Sequence, residues 1–90
     1  MNPVTEINEG IDVIATFKNK DGKVVVMPSV MRWRGRNVKL TTLGLYHPMR
    51  RGARLYYVFD MSDGANDYSL EFDTVELTWR LISLIDGSSL

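Results

Sequence analysis

Residues 11–27, with the sequence IDVIATFKNKDGKVVVM, carry the clearest structural signal in this 90-residue chain. Apolar and polar residues alternate over residues 11–18, which is the two-residue period of a half-buried strand. Residues 19–22 are Asn, Lys, Asp and Gly, which fit a type I turn with a bulge. Residues 24–27 are apolar and predict the returning strand. The segment as a whole therefore predicts a β-hairpin.

Further short strands, with turns between them, follow this hairpin. We predict them at residues 30–33, 37–46, 55–59 and 67–73, the last with an acidic outer face. Residues 77–85 fit both a strand and a helix by apolar spacing, and the surrounding strands favour a strand. These elements predict an all-β fold, a small, strongly bent antiparallel barrel or sandwich of about six to seven strands.

Several local features refine this arrangement. Pro28 is expected to end the returning strand or to place it on a sheet edge, because proline donates no hydrogen bond to a ladder. Arg34-Gly35 suits a tight turn, and the apolar phase shifts beside Gly44, which predicts a bulge. Residues 47–53 are predicted as a loop, and Ser62-Asp63-Gly64 as another turn.

The chain is long enough for one domain with a modest hydrophobic core. We predict an N-terminal arm over residues 1–9, a single β domain over 10–86 and a C-terminal tail over 87–90. The predicted core consists of apolar residues in strand phase: Ile11, Val13, Phe17, Val25, Met31, Trp33, Val38, Leu40, Tyr57, Phe59, Leu70, Phe72, Trp79 and Leu81.

The composition limits the location and the class of protein. The chain contains no cysteine, which excludes disulfides and thiolate metal sites and makes a cytoplasmic location the simplest expectation. The acidic start shows no signal peptide, and no apolar run is long enough to cross a bilayer, so we predict no membrane association. With zero formal net charge and a pI of about 6.6, little charge repulsion opposes self-association.

The charges are strongly segregated along the chain. Residues 18–54 hold ten of the eleven basic side chains and one acid, Asp21, which gives this segment a formal charge of +9. Residues 55–90 hold seven acids and one base, for −6, and residues 1–17 hold three acids, for −3. The balanced total therefore hides large blocks of opposite sign, which are the main functional clue in the sequence.

Two groups of basic residues in the positive segment are candidate contacts for a polyanion or a protein partner. Arginine binds phosphate well, and such contacts dominate non-specific affinity for nucleic acid. Aromatic residues lie between the bases, as they do in small barrels that stack single-stranded bases. The candidate contacts are Arg32, Arg34, Arg36, Lys39, Arg50, Arg51 and Arg54, and the interleaved aromatics are Trp33, Tyr46, Tyr56 and Tyr57.

The alternative interpretation is that strands pair these bases with acids, within the chain or between subunits. Arg54 opposite Glu71 or Asp73 would absorb charge at a gain of only about 0.2–1 kcal/mol. Trp33 and Tyr57 lie in core phase, so we expect them to pack in the interior. The sequence leaves both interpretations of the basic residues open.

No catalytic constellation is visible in the sequence. His47 is the only histidine, and a single ligand does not hold a zinc ion. Asp60, Asp63 and Asp67 lack the spacing of a calcium loop, and turn chemistry around Gly64 explains them. The chain has no phosphate-binding glycine loop and no nucleophile elbow. We therefore predict no enzyme, no catalytic residue, no cofactor, no metal site and no small-molecule substrate.

Three strings in order carry a family resemblance: PSVMRWRGR at residues 28–36, DYSLEFD at 67–73 and WRL at 79–81. The chain resembles a family of small bacterial domains of unknown function, DUF6504, over residues 27–86. The family pattern has an aromatic residue where this chain has Met31. Some relatives accompany error-prone DNA polymerase subunits, so the resemblance implies a nucleic-acid-processing neighbourhood. It implies no catalytic residues.

Two functions follow from these observations. The first is protein interaction or self-association, in which the basic face of one chain meets the acidic face of residues 60–76 in another. The second is an accessory module that binds nucleic acid or another polyanion and is linked to DNA processing. The first agrees with zero net charge and needs no ligand, so it is the leading hypothesis.

Overall fold

The computed structural model describes residues 3–87 and contains one antiparallel sheet of seven strands. The strands are β1 (Val4–Lys20), β2 (Lys23–Trp33), β3 (Arg36–Lys39), β4 (Thr42–Arg51), β5 (Arg54–Ser62), β6 (Asn66–Asp73) and β7 (Thr78–Asp86). The predicted all-β, strongly bent antiparallel fold is therefore confirmed. The sheet order is β3-β2-β1-β7-β6-β5-β4, and no ladder joins its two ends within the described residues, so the sheet is not a closed barrel.

The long strand β1 is third in the sheet order and joins β2 and β3 to the other four strands. On one side it pairs with β2, and β2 pairs with β3. On the other side it pairs with β7, where Val4 lies opposite Ile85 and Ile11 lies opposite Trp79. Strands β4 to β7 form a meander in which each strand pairs with the next.

Strand β1 begins earlier than the sequence indicated, so the predicted arm over residues 1–9 is wrong from Val4 onward. Residues 4–6 pair with β7, and the register shifts between Glu6 and Glu9. Asn8 adopts a φ of 55°, a left-handed conformation that Asn tolerates better than most residues. This irregularity interrupts the alternation and conceals the strand in the sequence. Residues 1–2 and 88–90, which hold the rest of the arm and most of the predicted tail, lie outside the described residues.

The Asp21-Gly22 turn is tighter than predicted. Asp21 and Gly22 have φ values of 53° and 79°, and Lys20 pairs directly with Lys23. Two central residues with positive φ are typical of a type I′ turn, which matches the twist of the flanking strands, so the predicted type I turn with a bulge is wrong. Arg34-Gly35 repeats this arrangement with φ values of 51° and 76°, which confirms the predicted tight turn.

Pro28 and Pro48 lie inside strands rather than at their ends. Strand β2 continues through Pro28, which lies opposite Ala15 beside a register shift and on a part of β2 that β3 does not cover. Pro48 lies within β4 opposite Tyr57, so the predicted loop over residues 47–53 is wrong except for the turn at residues 52–53. Edge strands tolerate proline because one side of the strand needs no hydrogen-bond donor.

Residues 40–41 carry the chain from one end of the sheet to the other. The Leu40 N–H donates to the Ser29 carbonyl at 2.8 Å, and the Thr41 N–H donates to the Ser62 carbonyl at 2.8 Å. The single strand predicted over residues 37–46 is therefore two strands on opposite edges. The bulge predicted beside Gly44 is confirmed by a register shift between its two neighbours. The strand predicted at the end of the chain is also confirmed, as β7.

The core contains an aromatic cluster. Met31, Leu70 and Leu81 have no exposed surface. The Trp79 ring lies 4.8 Å from that of Phe72 and 5.5 Å from that of Phe59, between ring centroids. These contacts join β5, β6 and β7 into one apolar layer.

Most predicted core residues are buried or half-buried, and two are not. The buried ones are Met31, Val38, Leu40, Phe59, Leu70, Phe72, Trp79 and Leu81, and the half-buried ones are Ile11, Val13, Trp33 and Tyr57. Phe17 and Val25 are 59% and 43% exposed, because the hairpin extends past the bulge between Ile14 and Ala15. Met61 and Tyr68 belong to the core and were not predicted.

Candidate functional site

Arg51, at the end of β4, pairs with Glu71 of β6. Their guanidinium and carboxylate groups form a salt bridge, and the Arg51 guanidinium lies 4.2 Å from the centroid of the Tyr56 ring. Glu71 is only 6% exposed and lies between Val58 and Arg80 of the neighbouring strands. The outer face predicted for β6 is therefore wrong at this position, because Glu71 is covered rather than solvent-exposed.

Arg54 pairs with Asp73, which was one of the two acids predicted to lie opposite it. The Arg54 Nη1 lies 2.9 Å from Asp73 Oδ2, and its Nη2 lies 3.6 Å from Glu76 Oε1. Asp73 Oδ1 also accepts the backbone N–H groups of Val75 and Glu76. Burial raises the pKa of Asp73, but these two N–H groups and Arg54 outweigh burial and hold the pKa below its ordinary value.

Arg34, in the β2–β3 turn, pairs with Glu9 of β1. The Arg34 Nη2 lies 2.5 Å from Glu9 Oε2, and the Trp33 Nε1–H donates to Glu9 Oε1 at 3.1 Å. The Arg34 guanidinium also lies 4.7 Å from the centroid of the Trp33 ring. The hydrogen bonds from Arg34 and Trp33 lower the pKa of Glu9. Trp33 is therefore half-buried and hydrogen-bonded, and it is not a free surface for base stacking.

The other four candidate bases form no salt bridge with any described residue. They are Arg32, Arg36, Lys39 and Arg50, and all are exposed. The first three lie on β2 and β3 and Arg50 lies on β4, at opposite ends of the strand order. Arg32 lies directly opposite Asp12 of β1. The fold thus pairs three of the seven candidates with acids and divides the others between the two edges.

A second basic group, which we call the basic hairpin, occupies residues 17–25 at the tip of β1 and β2. Lys18, Lys20 and Lys23 are exposed, and Lys20 lies directly opposite Lys23. Like charges in directly opposed positions destabilise a strand pair. Val24 beside them is 62% exposed. The sequence shows these residues around the Asp-Gly turn, but their exposure depends on the hairpin extending beyond the sheet.

An apolar cleft of about 270 Å³, which we call the seam, separates β2 from β4. Residues 24–27 line it on one side, and Leu43 and Tyr46 line it on the other. Tyr57 and Phe59 also border the seam, and their ring centroids lie 5.8 Å and 5.0 Å from that of Tyr46. The inner wall of the seam is therefore aliphatic and aromatic.

Both strands that border the seam have a free edge. Strand β3 pairs with β2 only over residues 30–33, so residues 23–28 have no strand on that side in the described chain. Strand β4 pairs only with β5 among residues 3–87. Leu43 is 37% exposed and Tyr46 is 42% exposed at this edge. The seam therefore combines unpaired backbone groups with accessible apolar side chains.

A larger cavity of about 560 Å³, which we call the acidic groove, lies near the start of β1. A row of directly opposed residues crosses four strands here: Asp60 faces Ser69, Ser69 faces Ser83, and Ser83 faces Glu6. Asp67 lies in the next row. Two serine hydroxyls thus lie between two carboxylates across the sheet surface.

The carboxylates in and beside the acidic groove have no basic partner in the described chain. Asp60 and Asp67 line the cavity, and Glu6 lies beside it, opposite Ser83. None of the three forms a salt bridge with a described residue. Val4 and Leu45, which also line the cavity, are 58% and 56% exposed. The groove therefore offers unpaired negative charge beside apolar surface.

The remaining polar candidates have structural roles or no specific contact. His47 is exposed in β4. Asp63 Oδ1 accepts the N–H groups of Ala65 and Asn66 at 2.8 and 2.7 Å, and the Tyr68 hydroxyl donates to Oδ2 at 2.8 Å. Burial raises the pKa of Asp63, but these hydrogen bonds outweigh burial and hold the pKa below its ordinary value. Turn formation thus accounts for Asp63.

Comparisons with known proteins add no identity to these surfaces. Protein-family models, curated proteins and solved structures give no match to the chain. The resemblance to DUF6504 therefore stays a prediction. Over residues 3–87, no helix is long and apolar enough to cross a membrane. The same residues contain no group of three or more His, Cys, Asp or Glu side chains placed to hold a metal ion.

Proposed function

We propose that this chain is a non-catalytic protein-interaction module that binds an extended segment of a partner at the seam. One observation carries the proposal: two free strand edges border an apolar cleft that the sheet leaves open. Proteins usually cover or charge their free edges, because an open edge pairs with other chains. A free edge beside apolar pockets is the arrangement that β-strand addition uses.

The seam defines the chemistry of the segment it would bind. Main-chain hydrogen bonds to β4 would hold the segment as a strand, and alternate side chains would face Leu43 and Tyr46. Lys23 begins β2, and Arg50 lies near the end of β4. Because β2 and β4 run in opposite directions, both bases lie at the same end of the seam, and they favour acidic residues at that end of the bound segment. The proposed partner is therefore an extended segment with alternating apolar residues and an acidic end.

Binding of nucleic acid has less support. Arg34, Arg51 and Arg54 already form salt bridges with acids of the same chain. A polyanion would have to compete with those carboxylates, and Trp33 is engaged with Glu9. The free bases on β2 and β3 are the observation that favours this second function. For either function we propose a reducing cytosol as the location, which the absence of cysteine supports.

Selection of random peptides displayed on phage tests the proposed function. We expect bound peptides to have alternating apolar residues with acidic residues at one end, and to protect the amides of residues 42–47 from hydrogen exchange. Leu43→Ser should weaken their binding about tenfold or more, since burying a leucine contributes about 1.5–3 kcal/mol. Val75→Ser is the matched control, because Val75 is 63% exposed and does not line the seam.

Two outcomes would count against the seam. Selected peptides that bind the Leu43 and Val75 variants equally well would place the contact elsewhere. Binding of single-stranded oligonucleotides that falls steeply with salt, and that is lost when Arg34 and Arg36 are changed to Glu, would instead favour the nucleic-acid function.

A further inference from the structure

We propose that copies of this chain associate head to tail, with the basic hairpin of one copy seated in the acidic groove of the next. The proposal goes beyond peptide binding at the seam, because it joins the tip of the hairpin to a groove elsewhere on the sheet and its partner is a second copy of the chain. The hairpin shares Lys23, Val24 and Val25 with the border of the seam. Each surface combines unpaired charge with exposed apolar side chains, and the two charges are opposite.

The basic hairpin lacks a counter-charge of its own. Lys18, Lys20 and Lys23 form no salt bridge with any described residue. Lys20 and Lys23 oppose each other directly, and the nearest acid in sequence, Asp21, lies within the turn itself. Carboxylates from another surface would relieve this repulsion, and apolar surface beside them would cover Val24.

The acidic groove supplies the matching groups. Asp60 and Asp67 in its lining, and Glu6 beside it, are carboxylates without basic partners in the described chain. The exposed side chains of Val4 and Leu45 lie beside them and would meet the apolar residues of the hairpin. The groove measures about 560 Å³.

A second copy is the occupant that this pair of surfaces indicates. The start of β1 lines the groove and the end of the same 17-residue strand forms the hairpin, so one copy does not fill its own groove. The formal net charge is zero, so copies do not repel one another as wholes. The contact is heterologous, because it joins two different surfaces. Each assembly therefore keeps one free hairpin and one free groove, and it adds further copies unless it closes into a ring.

Sedimentation equilibrium at low ionic strength tests this association. We expect the average mass to rise above 10.3 kDa with concentration and to return to that of the monomer in high salt. Lys20→Glu with Lys23→Glu reverses the hairpin, and Asp60→Lys with Asp67→Lys reverses the groove. Each double variant should weaken association at least about tenfold, because like charges then meet.

A matched control separates local contact from net charge. Arg36→Glu with Lys39→Glu changes the net charge as much as the hairpin variant does, but on β3, outside both surfaces. This variant should associate more strongly than the hairpin variant. Mixing the hairpin variant with the groove variant should restore association, because every contact between them joins opposite charges. A folding defect would not be rescued by mixing.

Four results would overturn the proposal. The first three are a wild-type chain that stays monomeric at low salt up to its solubility limit, equal loss of association in the hairpin and β3 variants, and no rescue of association on mixing folded variants. Binding of single-stranded oligonucleotides by the hairpin lysines without self-association would also overturn it, and would assign the hairpin to nucleic acid. Leu43→Ser leaves all these charges unchanged, so peptide binding at the seam is scored separately.

Discussion

Replacing Arg51 by alanine tests whether part of the basic segment serves the fold itself. Glu71 is 6% exposed, and Arg51 provides its salt bridge. Removing one partner of a buried pair costs about 3–5 kcal/mol, because the other charge stays buried without compensation. The Arg51 side chain is itself 55% exposed, and Arg80 lies opposite Glu71. We therefore expect a smaller loss of about 1.5–3 kcal/mol in the free energy of unfolding.

Urea unfolding at neutral pH, followed by tryptophan fluorescence, measures this loss. Trp79 is 8% exposed and reports on the core. Arg50→Ala is the control, because Arg50 lies on the same strand without a salt bridge in the described chain, and its loss should cost less than about 0.5 kcal/mol. Arg51→Met with Glu71→Leu should recover most of the stability, since an apolar pair leaves no charge buried.

Equal stability of the Arg51→Ala and Arg50→Ala variants would refute this reasoning, because Glu71 would then be stable in its site without Arg51. A double apolar variant no more stable than Arg51→Ala would refute it as well. The denaturant dependence of the unfolding free energy should stay the same in all variants, since the surface exposed on unfolding hardly changes.

Three further predictions concern the core, a close backbone approach and the response to acid. Phe59→Ala should cost about 3–5 kcal/mol in urea unfolding, because Phe59 is 1% exposed. Phe17→Ala should cost about 1 kcal/mol or less, because Phe17 is 59% exposed and its ring makes an edge contact with Phe72. Equal losses in the Phe59 and Phe17 variants would contradict the assigned core. Gly87→Ala should lower the free energy of unfolding by about 1–3 kcal/mol, with a lower melting temperature, because its Cβ would clash with the Ala65 carbonyl oxygen. Gly10→Ala, with nothing within 4 Å, is its control. Because the pKa of Asp63 is lowered in the folded state, the folded state binds fewer protons than the unfolded state at acidic pH. The ionised Asp63 carboxylate therefore stabilises the fold above the ordinary pKa of Asp, and this stabilisation is lost as the pH falls through the pKa of Asp63 in the folded state. The free energy of unfolding of Asp63→Asn should therefore fall less than that of the wild type between neutral pH and pH values below about 4. The same fall in both proteins would contradict the stabilising role of the Asp63 carboxylate.

Local patterns account for most of the secondary structure that the sequence predicted. Alternation over residues 11–18 and 67–73 predicted β1 and β6, and the phase shift beside Gly44 predicted a bulge. These signals are local because a strand period and a turn depend on residues close in sequence. The start of β1 escaped prediction for the same reason, since Asn8 interrupts its period.

Burial and pairing depend on the strand order, which local patterns do not contain. Phe17 alternates like a core residue, yet its part of the hairpin lies beyond the main sheet. The Arg54–Asp73 pair was among the predicted alternatives, because both residues lie near the ends of predicted strands. The Arg51 and Glu71 pair was not predicted, because residues 47–53 read as a loop. The seam was not predicted, because the free edges of β2 and β4 follow from the strand order, which local sequence patterns do not contain.

The pairing of β1 with β7 has a consequence for the order in which the sheet forms. Val4 lies opposite Ile85, so residues far apart in sequence lie on adjacent antiparallel strands. A circularly permuted chain that links these two strands by a short turn, and opens between residues 40 and 41, would run β4-β5-β6-β7-β1-β2-β3. Every ladder would then join strands that are neighbours in sequence. Such a chain should fold faster than the natural one. In the natural chain, the β1–β7 ladder forms only when a loop about as long as the domain has closed.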